Sequence, residues 1–549
     1  MPAFLTKTRA RLFVLLTAIS LAQLAIGVTA AMLVSDLFRA ISDGQEVAVG
    51  RLVLFGGAIV LVALTELARR VTTEALGLDY ARSVRLVLLE RMLRRPYHGT
   101  RPRSRGSQLL PFVGDLTALR QWWSDGVARG SSAAFIALGL CGWIGWQHRW
   151  LGLAMGLMAI GYLAITALAV RPYAAATRQQ RNLRGTMTAI ISDRIAAAHA
   201  IIGMGGLKRE VNGIDRRIEK MNRASLRRAS WSGVMRGLAA TVPLAGALLL
   251  LANAGSHGIA PHEIVGLLTL TGLLGGALAD IARAAELAIP ARISGARIRS
   301  RIDEIEPIRT SREPRSDGRH RPLRLDGFRL ATGHEPFDAK LAKGDVVLID
   351  GAPGSGKSKL LAMIAGVQPV AAGSIRIAGR EASRLGQKRR REHVGIAARW
   401  VPLIQSSLAA NLGYRLRKGT DRQGVPALMA QMGLAHLIKA DGKPAELRIR
   451  DQGSGLAASV IAAVRIVRAA VGDPVLLVLD DADRDLTEDQ TYGLAELVAG
   501  WRGVVVMTTD DPGLRALANH HWTVGASGIS DVELPAKSAE IHELAFDGR

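Results

Sequence analysis

The chain has 549 residues, of which 49% are hydrophobic, and it carries a formal net charge of +24. This length suggests two or three domains, and such a charge is unusual for a soluble protein that is also this apolar. The two properties agree if apolar residues are gathered in one region and Lys and Arg in cytoplasmic loops, as in membrane proteins. Cys141 is the single cysteine, which excludes an intrachain disulfide and a cysteine-rich metal site.

A first membrane span is predicted at residues 12–34. This apolar run of about 23 residues would form a helix of about 34 Å, enough to cover a bilayer core of about 30 Å. Basic residues before the run and small residues near its end are also found in signal peptides. The run is too long for a signal peptide, however, and more apolar stretches follow it.

Five further apolar stretches indicate five more spans. They lie at residues 52–67, 131–146, 151–170, 235–254 and 263–287. Arginine is concentrated in the connection 69–105 and in the polar, helix-prone connection 171–228, and because it is costly to translocate, both are expected in the cytoplasm. Residues 147–150 are then expected to form a tight outer turn between the third and fourth spans. Asp43 and Ser256 lie in short connections that are then outside. Trp143, Trp146 and Trp150 fit a membrane-interface belt, although tryptophan in a packed core is an alternative.

The C-terminal part of the chain has a different pattern. Residues 306–322 are rich in Arg and Pro, which is typical of a linker. Apolar strands then alternate with helices, which predicts a parallel α/β sheet with strands at 346–349, 475–479 and 504–507. The sequence thus predicts an α-helical membrane bundle over residues 1–305, fused to an α/β phosphate-loop nucleotide-binding domain over residues 323–549.

A phosphate-binding loop is predicted between the first of these strands and a helix. The pattern G-x-x-x-x-G-K-[ST] is matched by Gly351, Ala352, Pro353, Gly354, Ser355, Gly356, Lys357 and Ser358. Glycines let backbone amides turn toward phosphate oxygens, and the helix N-terminus adds partial positive charge. We expect Lys357 to bind the β- and γ-phosphates of ATP, Ser358 to bind Mg²⁺, and Lys359 to contribute to cofactor binding. The alternative is a glycine-rich turn that binds nothing.

A second candidate site is the acidic pair that ends the strand Leu476-Leu477-Val478-Leu479-Asp480-Asp481. The four apolar residues bury the strand and present Asp480 at its carboxyl end, where a carboxylate can hold Mg²⁺ next to the phosphates. Alternatively, Asp480 and Asp481 are an acidic pair that caps the following helix.

Together these features resemble a half-transporter of the ATP-binding cassette (ABC) exporter family, over nearly the whole chain. Residues 93–97 resemble the first intracellular loop of such exporters, and residues 258–266 resemble the entry to their sixth span. The resemblance implies Mg-ATP at a composite dimer site, a second half-transporter subunit as partner, contact with membrane lipid and an unknown transported substrate. It also implies an integral protein of the bacterial inner membrane with a cytoplasmic nucleotide-binding domain. A nucleic-acid partner is not expected, because membrane topology already explains the basic loops.

Several positions depart from the family pattern. The glutamate that polarises the attacking water is Asp481, one methylene shorter, and the switch histidine is Thr509. Arg399 stands at the position of the Q-loop glutamine, and Gln405 is too near Asn411 to replace it easily. The D-loop aspartate is Thr487. Without a tyrosine in residues 323–343, Phe328 and Phe337 are the aromatic candidates for stacking on adenine.

The family signature LSGGQ is also degraded. Its position falls on Leu456, Ala457, Ala458, Ser459 and Val460. In the family, the signature serine and glycines contact the γ-phosphate of ATP on the opposite subunit, and here the serine hydroxyl is missing and two Cβ atoms are added. Residues 453–455 could substitute after a register shift.

These departures indicate a domain that binds nucleotide and is poorly equipped to hydrolyse it. The chain is expected to be the degenerate member of a heterodimer that transports by alternating access, with residues 96–105 and 201–209 as coupling regions. The alternative is a non-translocating membrane regulator that senses nucleotide. Asp280, Arg283 and Glu286 in or just beyond span six are functional candidates, although an ion-paired face is the favoured interpretation.

Overall fold

The computed structural model describes residues 6–94, 111–255, 258–304, 321–416 and 424–533. These residues form two compact units. The first is helical and its described residues end at 304, and the second is a mixed α/β unit that consists mainly of the described residues from 321 onward. The predicted linker lies outside the described residues except for its last two positions, and so do Ser256 and the predicted coupling region 96–105.

Helices make up the described part of the first unit, and all of them except the helix over Ala198–Gly203 are long. They are α1 Lys7–Ser42, α2 Val49–Leu93, α3 Leu116–Gln147, α4 Arg149–Ala196, α5 Ala198–Gly203, α6 Leu207–Asn253 and α7 Pro261–Glu304. A π-helical turn over Pro111–Asp115 precedes α3, and another over Trp122–Ala128 lies within it. Among the described residues, 6 helices are long and apolar enough to cross a membrane, which confirms the predicted number of spans.

Several helices continue far beyond the predicted spans. α4 has 48 residues and α6 has 47, so each is about 70 Å long, roughly twice the thickness of a bilayer core. The additional length is the arginine-rich stretch 171–228, whose helical conformation was predicted. Only His148 separates α3 from α4, which confirms the expected tight turn. A Cβ on Gly152 would lie 2.3 Å from Gly145 Cα, so the turn depends on glycine.

Asp280, Arg283 and Glu286, the charged candidates in or just beyond the sixth span, are all ion-paired within the bundle. Their partners are Arg129 for Asp280 at 2.8 Å, Asp125 for Arg283 at 4.0 Å and Arg236 for Glu286 at 2.6 Å. Pairing offsets part of the cost of holding charge away from water. The favoured interpretation of this segment as an ion-paired face is therefore supported.

The described residues of the second unit form three sheets. Its strands are β1 Leu323–Arg329, β2 Phe337–Leu341, β3 Val346–Asp350, β4 Ala372–Ile377, β5 Arg380–Glu381, β6 Val394–Ala398, β7 Ser406–Ser407, β8 Arg448–Ile449, β9 Leu476–Asp480, β10 Val504–Thr508, β11 His520–Val524 and β12 Ile529–Glu533. Its helices are α8 Lys357–Ile364, α9 Gln387–His393, α10 Leu408–Leu412, α11 Gly424–Gln431, α12 Ala458–Ala470, α13 Glu488–Ala499 and α14 Pro512–Ala516.

The largest sheet is mainly parallel and has the order β12-β11-β3-β10-β9-β6. The three predicted strands are β3, β9 and β10 within one residue at each end. They lie next to one another, with β10 between β3 and β9. Because these strands run parallel, their carboxyl ends meet at one edge of the sheet. That edge carries the phosphate-binding loop, Asp480 and Thr508.

Candidate nucleotide-binding site

The loop between β3 and α8 has a backbone that requires glycine. Gly351, Gly354 and Gly356 have φ angles of +143°, +86° and +108°, which residues with a Cβ rarely adopt. A Cβ on Gly351 would also lie 2.6 Å from the carbonyl oxygen of Val524. The loop leads directly into α8, whose first amides lack intrahelical acceptors and so favour an anion.

The side chains of the loop fit a polyphosphate. Lys357 Nζ donates to the carbonyl oxygen of Gly351, which folds its ammonium group back over the loop. The Ser355 hydroxyl is buried and has no hydrogen-bond partner among the described residues, so it is free to donate to a phosphate oxygen. Lys359 Nζ instead donates to Leu330 O over 3.1 Å. Lys359 can therefore contribute through its backbone amide rather than through its bonded ammonium group.

Ser358 and Asp480 lie together as a site for Mg²⁺ requires. Ser358 Oγ donates to Asp480 Oδ1 over 3.0 Å, and Asp480 is only 5% exposed. Burial, with a smaller effect from the neighbouring Asp481 charge, raises the pKa of the Asp480 carboxyl. Oxygen ligands of this kind suit Mg²⁺, which usually takes one or two protein ligands together with phosphates and water. The residues present thus fit the metal.

The alternative role of the acidic pair as a helix cap is wrong. Helix α13 is capped by Thr487, whose side chain accepts from Gln490 N while the Gln490 side chain accepts from Thr487 N. This capping box satisfies the start of the helix without Asp480 or Asp481. It also gives Thr487, at the D-loop position, a clear structural role.

Trp400 is a site residue that sequence reasoning missed. Its Nε1 donates to Asp480 Oδ2 over 2.6 Å. β6 pairs in parallel with β9 so that Ala398 lies opposite Asp480, and the chain leaving β6 therefore passes the end of β9. The signal that could have found Trp400 is this strand pairing, which cannot be derived from a local motif.

Asp481, at the position of the family's catalytic glutamate, is held against the end of β10. Its carboxylate accepts from Thr508 Oγ1 over 2.8 Å, and its amide donates to the same hydroxyl oxygen over 2.9 Å. The backbone of Asp481 has φ of +45°, an αL conformation that aspartate tolerates better than most residues. Thr508 is a second site residue that was not predicted.

Thr509, at the switch-histidine position, faces a different carboxylate. Its hydroxyl donates to Asp483 Oδ2 over 2.6 Å and accepts from Asp511 N over 3.0 Å. Burial raises the pKa of the Asp483 carboxyl, although the bond from Thr509 opposes this shift. The structure thus does not bring the Thr509 hydroxyl to Asp481.

Arg399, at the Q-loop position, is also directed elsewhere. Its Nη2 lies 3.2 Å from Asp485 Oδ1, and its side chain is 55% exposed. Gln405 is exposed, and the neighbouring loop is fixed by the fully buried Asn411, which exchanges hydrogen bonds of 2.8 Å with the backbone of Ile404.

A further unpredicted cluster anchors the base of the phosphate-binding loop. Asp350, the last residue of β3, accepts from Arg515 Nη2 over 2.6 Å and lies 3.1 Å from His521 Nε2. The Arg515 hydrogen bond is the main cause that lowers the pKa of Asp350 to about 2. Arg515 Nη1 also donates to Thr509 O over 3.3 Å. One side chain therefore connects the phosphate-binding loop to the end of β10.

The signature position lies at the start of a helix. α12 begins at Ala458, and Ala457 is its N-cap residue, but alanine has no side-chain oxygen with which to cap a helix or contact a phosphate. Leu456 and Ser459 flank this pair. Ser454 precedes the N-cap by three positions, between Gly453 and Gly455, which have φ of +107° and +89°. The proposed register shift is thus not supported by the helix boundary.

Neither aromatic candidate for stacking on adenine, Phe328 or Phe337, is placed to do so. The Phe328 side chain is completely buried, because it faces the core between the sheets. Phe337 is 7% exposed and packs edge-on against Trp522, with ring centroids 5.1 Å apart. Neither ring offers a face to a ligand in this structure.

Comparison with known proteins gives the same assignment for both units. Residues 12–278 match the family described as "ABC transporter transmembrane region", and residues 335–484 match the family described as "ABC transporter". The chain therefore belongs to the ABC transporter family. With its membrane helices and nucleotide-binding domain in one polypeptide, it has the organisation of an exporter-type half-transporter and is an integral membrane protein.

Individual relatives and a solved structure are similar over different lengths. A multidrug efflux ATP-binding/permease protein of Mycobacterium tuberculosis is 23% identical over 352 residues, which is 60% of this chain but only 29% of that protein. An ATP-dependent lipid A-core flippase of Cupriavidus pinatubonensis is 24% identical over 235 residues, or 40% of each chain. The structure of a bacterial Atm1-family ABC exporter with ATP bound superposes with a TM-score of 0.79 at 16% identity, covering 99% of this chain and 96% of that chain. This last similarity establishes the exporter fold.

Proposed function

We propose that this chain is one half of an ATP-driven exporter that binds Mg-ATP and moves a substrate by alternating access. The observation that carries the proposal is the meeting of Lys357, Ser358 and Asp480 at one edge of the parallel sheet, in a chain with 6 candidate membrane helices. Its domains are assigned as residues 1–305, 306–322 and 323–549. The nucleotide-binding domain would lie in the cytoplasm of a bacterium, with the helices in the inner membrane.

The chain's own residues would bind the nucleotide as follows. Lys357 would give up its hydrogen bond to Gly351 O and donate to oxygens of the β- and γ-phosphates. The Ser355 hydroxyl would donate to another phosphate oxygen. Ser358 and Asp480 would hold Mg²⁺, which supplies charge neutralisation for the phosphates when it is bound. The amides at the start of α8 contribute fixed partial positive charge without reorganisation.

Hydrolysis at this site would be slow. The Asp481 side chain is one methylene shorter than glutamate, and its carboxylate accepts a hydrogen bond from Thr508. The Thr509 hydroxyl donates to Asp483. Neither group is placed as an activated base for an attacking water. Loss of a positioned general base typically lowers a rate by about 10²- to 10⁴-fold.

The partner is therefore proposed to be a different, better-equipped half-transporter. In a head-to-tail dimer each site joins the phosphate-binding loop of one subunit to the signature of the other. In a homodimer of this chain, both sites would combine Asp481 and Thr509 of one subunit with the start of α12 in the other. At that helix start, Ala457 and Ala458 have no side-chain group that could contact the γ-phosphate. With a second kind of subunit, each composite site has one sound half.

A non-translocating regulator is the second candidate function. The bond from Trp400 to Asp480 favours it, because this contact engages the residue that hydrolysis requires while the phosphate-binding loop stays intact. A sensor needs nucleotide affinity but not turnover. ATP turnover that rises when a transported substrate is added to the complex supports the exporter, whereas turnover insensitive to every substrate supports the regulator.

The direct test of nucleotide binding uses the full chain in lipid nanodiscs. Isothermal titration with ATP, in the presence and absence of Mg²⁺, should show saturable binding near one site per chain. Copurification from the source cell then asks whether the chain is isolated with a second ABC half-transporter. Absence of ATP binding both with and without Mg²⁺ would refute the proposal.

A further inference from the structure

Trp400 and Ser358 together occupy both oxygens of the carboxylate at the magnesium site. The Trp400 indole N–H donates to Asp480 Oδ2 over 2.6 Å, and the Ser358 hydroxyl donates to Asp480 Oδ1 over 3.0 Å. An indole nitrogen is a donor only, so it competes with a cation or a metal-bound water for the lone pairs of Oδ2. A bulky ring also lies against the oxygen that a hydrated cation must approach.

The position of Trp400 is fixed by buried structure on both sides. Before it, β6 pairs with β9, and Ala398 lies opposite Asp480. After it, the guanidinium group of Arg468 donates to Val401 O over 2.8 Å and to Pro402 O over 2.9 Å. Arg468 is 6% exposed on α12. These anchors hold the segment that carries Trp400 against the end of β9.

We propose that Trp400 sets the magnesium affinity of the nucleotide site by competing for Asp480. The inference rests on the proposed nucleotide site and adds a determinant of metal binding to it. Mg²⁺ would bind the ATP-loaded chain fully only when the indole gives up its bond to Asp480. Loss of a hydrogen bond to a charged group corresponds to about tenfold or more in an equilibrium constant.

The consequence is that ATP binding and metal binding are separated in this chain. The phosphate-binding loop and the first amides of α8 hold the phosphates without using Asp480, so ATP affinity without metal is independent of the indole. Metal binding, in contrast, carries the penalty of displacing it. At magnesium concentrations below this raised midpoint, the chain would therefore retain ATP without the metal needed for phosphoryl transfer.

The test compares the wild-type chain with Trp400→Phe and a matched control, Trp501→Phe. Phenylalanine keeps an aromatic ring but removes the N–H. Trp501 lies in the core of the same domain, and its Nε1 has no hydrogen-bond partner among the described residues. Each full-length protein, in nanodiscs and saturated with ATP, is titrated with Mg²⁺ by calorimetry. ATP affinity in EDTA is measured in parallel.

The magnesium midpoint of Trp400→Phe should be about tenfold lower than that of the wild-type chain and of Trp501→Phe. ATP affinity in EDTA should be the same in all three proteins. A second readout needs no substitution of Trp400: in the Trp501→Phe protein, Mg²⁺ added to the ATP-loaded chain should change tryptophan emission as the indole leaves Asp480.

Two results would overturn the inference, and they differ in what else they refute. Equal magnesium midpoints with normal ATP binding, or tryptophan emission that Mg²⁺ leaves unchanged, would refute the role of Trp400 alone. Absence of ATP binding by all three proteins, with and without Mg²⁺, would refute the proposed function and this inference with it.

Discussion

Replacing Lys357 by Met should weaken ATP binding by about 10- to 150-fold, whereas replacing Lys359 by Met should leave it nearly unchanged. The two lysines are two positions apart at the start of α8, and methionine keeps most of the apolar stem of either side chain. The comparison therefore isolates the position of the ammonium group. It tests the loop geometry more sharply than a single substitution.

The expected magnitude follows from the contacts of each ammonium group. Lys357 Nζ donates within the loop to Gly351 O, and binding replaces this neutral acceptor with charged phosphate oxygens. A hydrogen bond to a charged group contributes about 1.5–3 kcal/mol, which is about 10- to 150-fold in Kd. Lys359 Nζ donates to Leu330 O over 3.1 Å and is not expected to bond the phosphates, so its removal should cost little ATP affinity.

Isothermal titration of the full chain with ATP in EDTA measures the effect without a contribution from metal. Thermal unfolding of each variant serves as the control for folding, since Lys357→Met also leaves a carbonyl without its donor. Wild-type affinity in Lys357→Met would refute the role of the loop. An equal loss of affinity in both variants would show that the two ammonium groups do not differ in their access to the phosphates.

Three further results are expected. Arg515→Met should lower thermal stability to the same extent at pH 6 and pH 8. The pKa of Asp350 is lowered from 3.8 to about 2, so the stabilisation by the ion pair is complete above about pH 4 and is lost as the pH falls toward 2. A difference in stability between wild type and variant that persists in full at pH 2 would exclude the Arg515–Asp350 pair as its cause. Glu286→Gln should lower the unfolding free energy of the helical unit by about 1–3 kcal/mol. In a double-mutant cycle with Arg236→Met, the double variant should lose less stability than the sum of the two single variants, whereas additive losses would exclude a direct pair. In a cysteine-free background, Asp43→Cys should react with an impermeant maleimide added outside intact cells, and protection of this cysteine would overturn the six-span topology.

The phosphate-binding loop could be predicted because its chemistry is local. The constraint that forces φ above zero at Gly351, Gly354 and Gly356 acts within a few residues, so it leaves a fixed pattern in the sequence. The membrane spans are predictable for a similar reason, since each must be apolar over a known length. The lengths of α4 and α6 beyond the bilayer were foreseen only as a helical tendency.

Trp400 and Arg515 could not be predicted because their contacts join distant parts of the chain. Trp400 reaches Asp480 through the parallel pairing of β6 with β9, and Arg515 reaches Asp350 from α14. No local pattern specifies either contact. Phe328 shows the opposite error: its aromatic side chain suggested a ligand contact, but it is completely buried because an irregularity in β1 between Leu325 and Phe328 shifts the register and returns Phe328 to the core face.

The structure shows which contacts are made by several residues that depart from the family pattern. Thr509 is bonded to Asp483, Arg399 to Asp485, and Thr487 caps α13. Each side chain thus has a partner other than a nucleotide, which the sequence could not show. Whether the site hydrolyses ATP is a question of rate and stays a prediction.

ATP binding and ATP turnover, measured on the same purified full-length chain without any other subunit, decide whether this half-transporter binds nucleotide but hydrolyses it poorly. We predict saturable Mg-ATP binding that Lys357→Met weakens by about 10- to 150-fold, together with turnover about 10²- to 10⁴-fold below that of an ABC protein with an intact glutamate. Turnover near 10 per second, an ordinary value for an enzyme, that is lost on Asp481→Asn would contradict this prediction and identify a working homodimer.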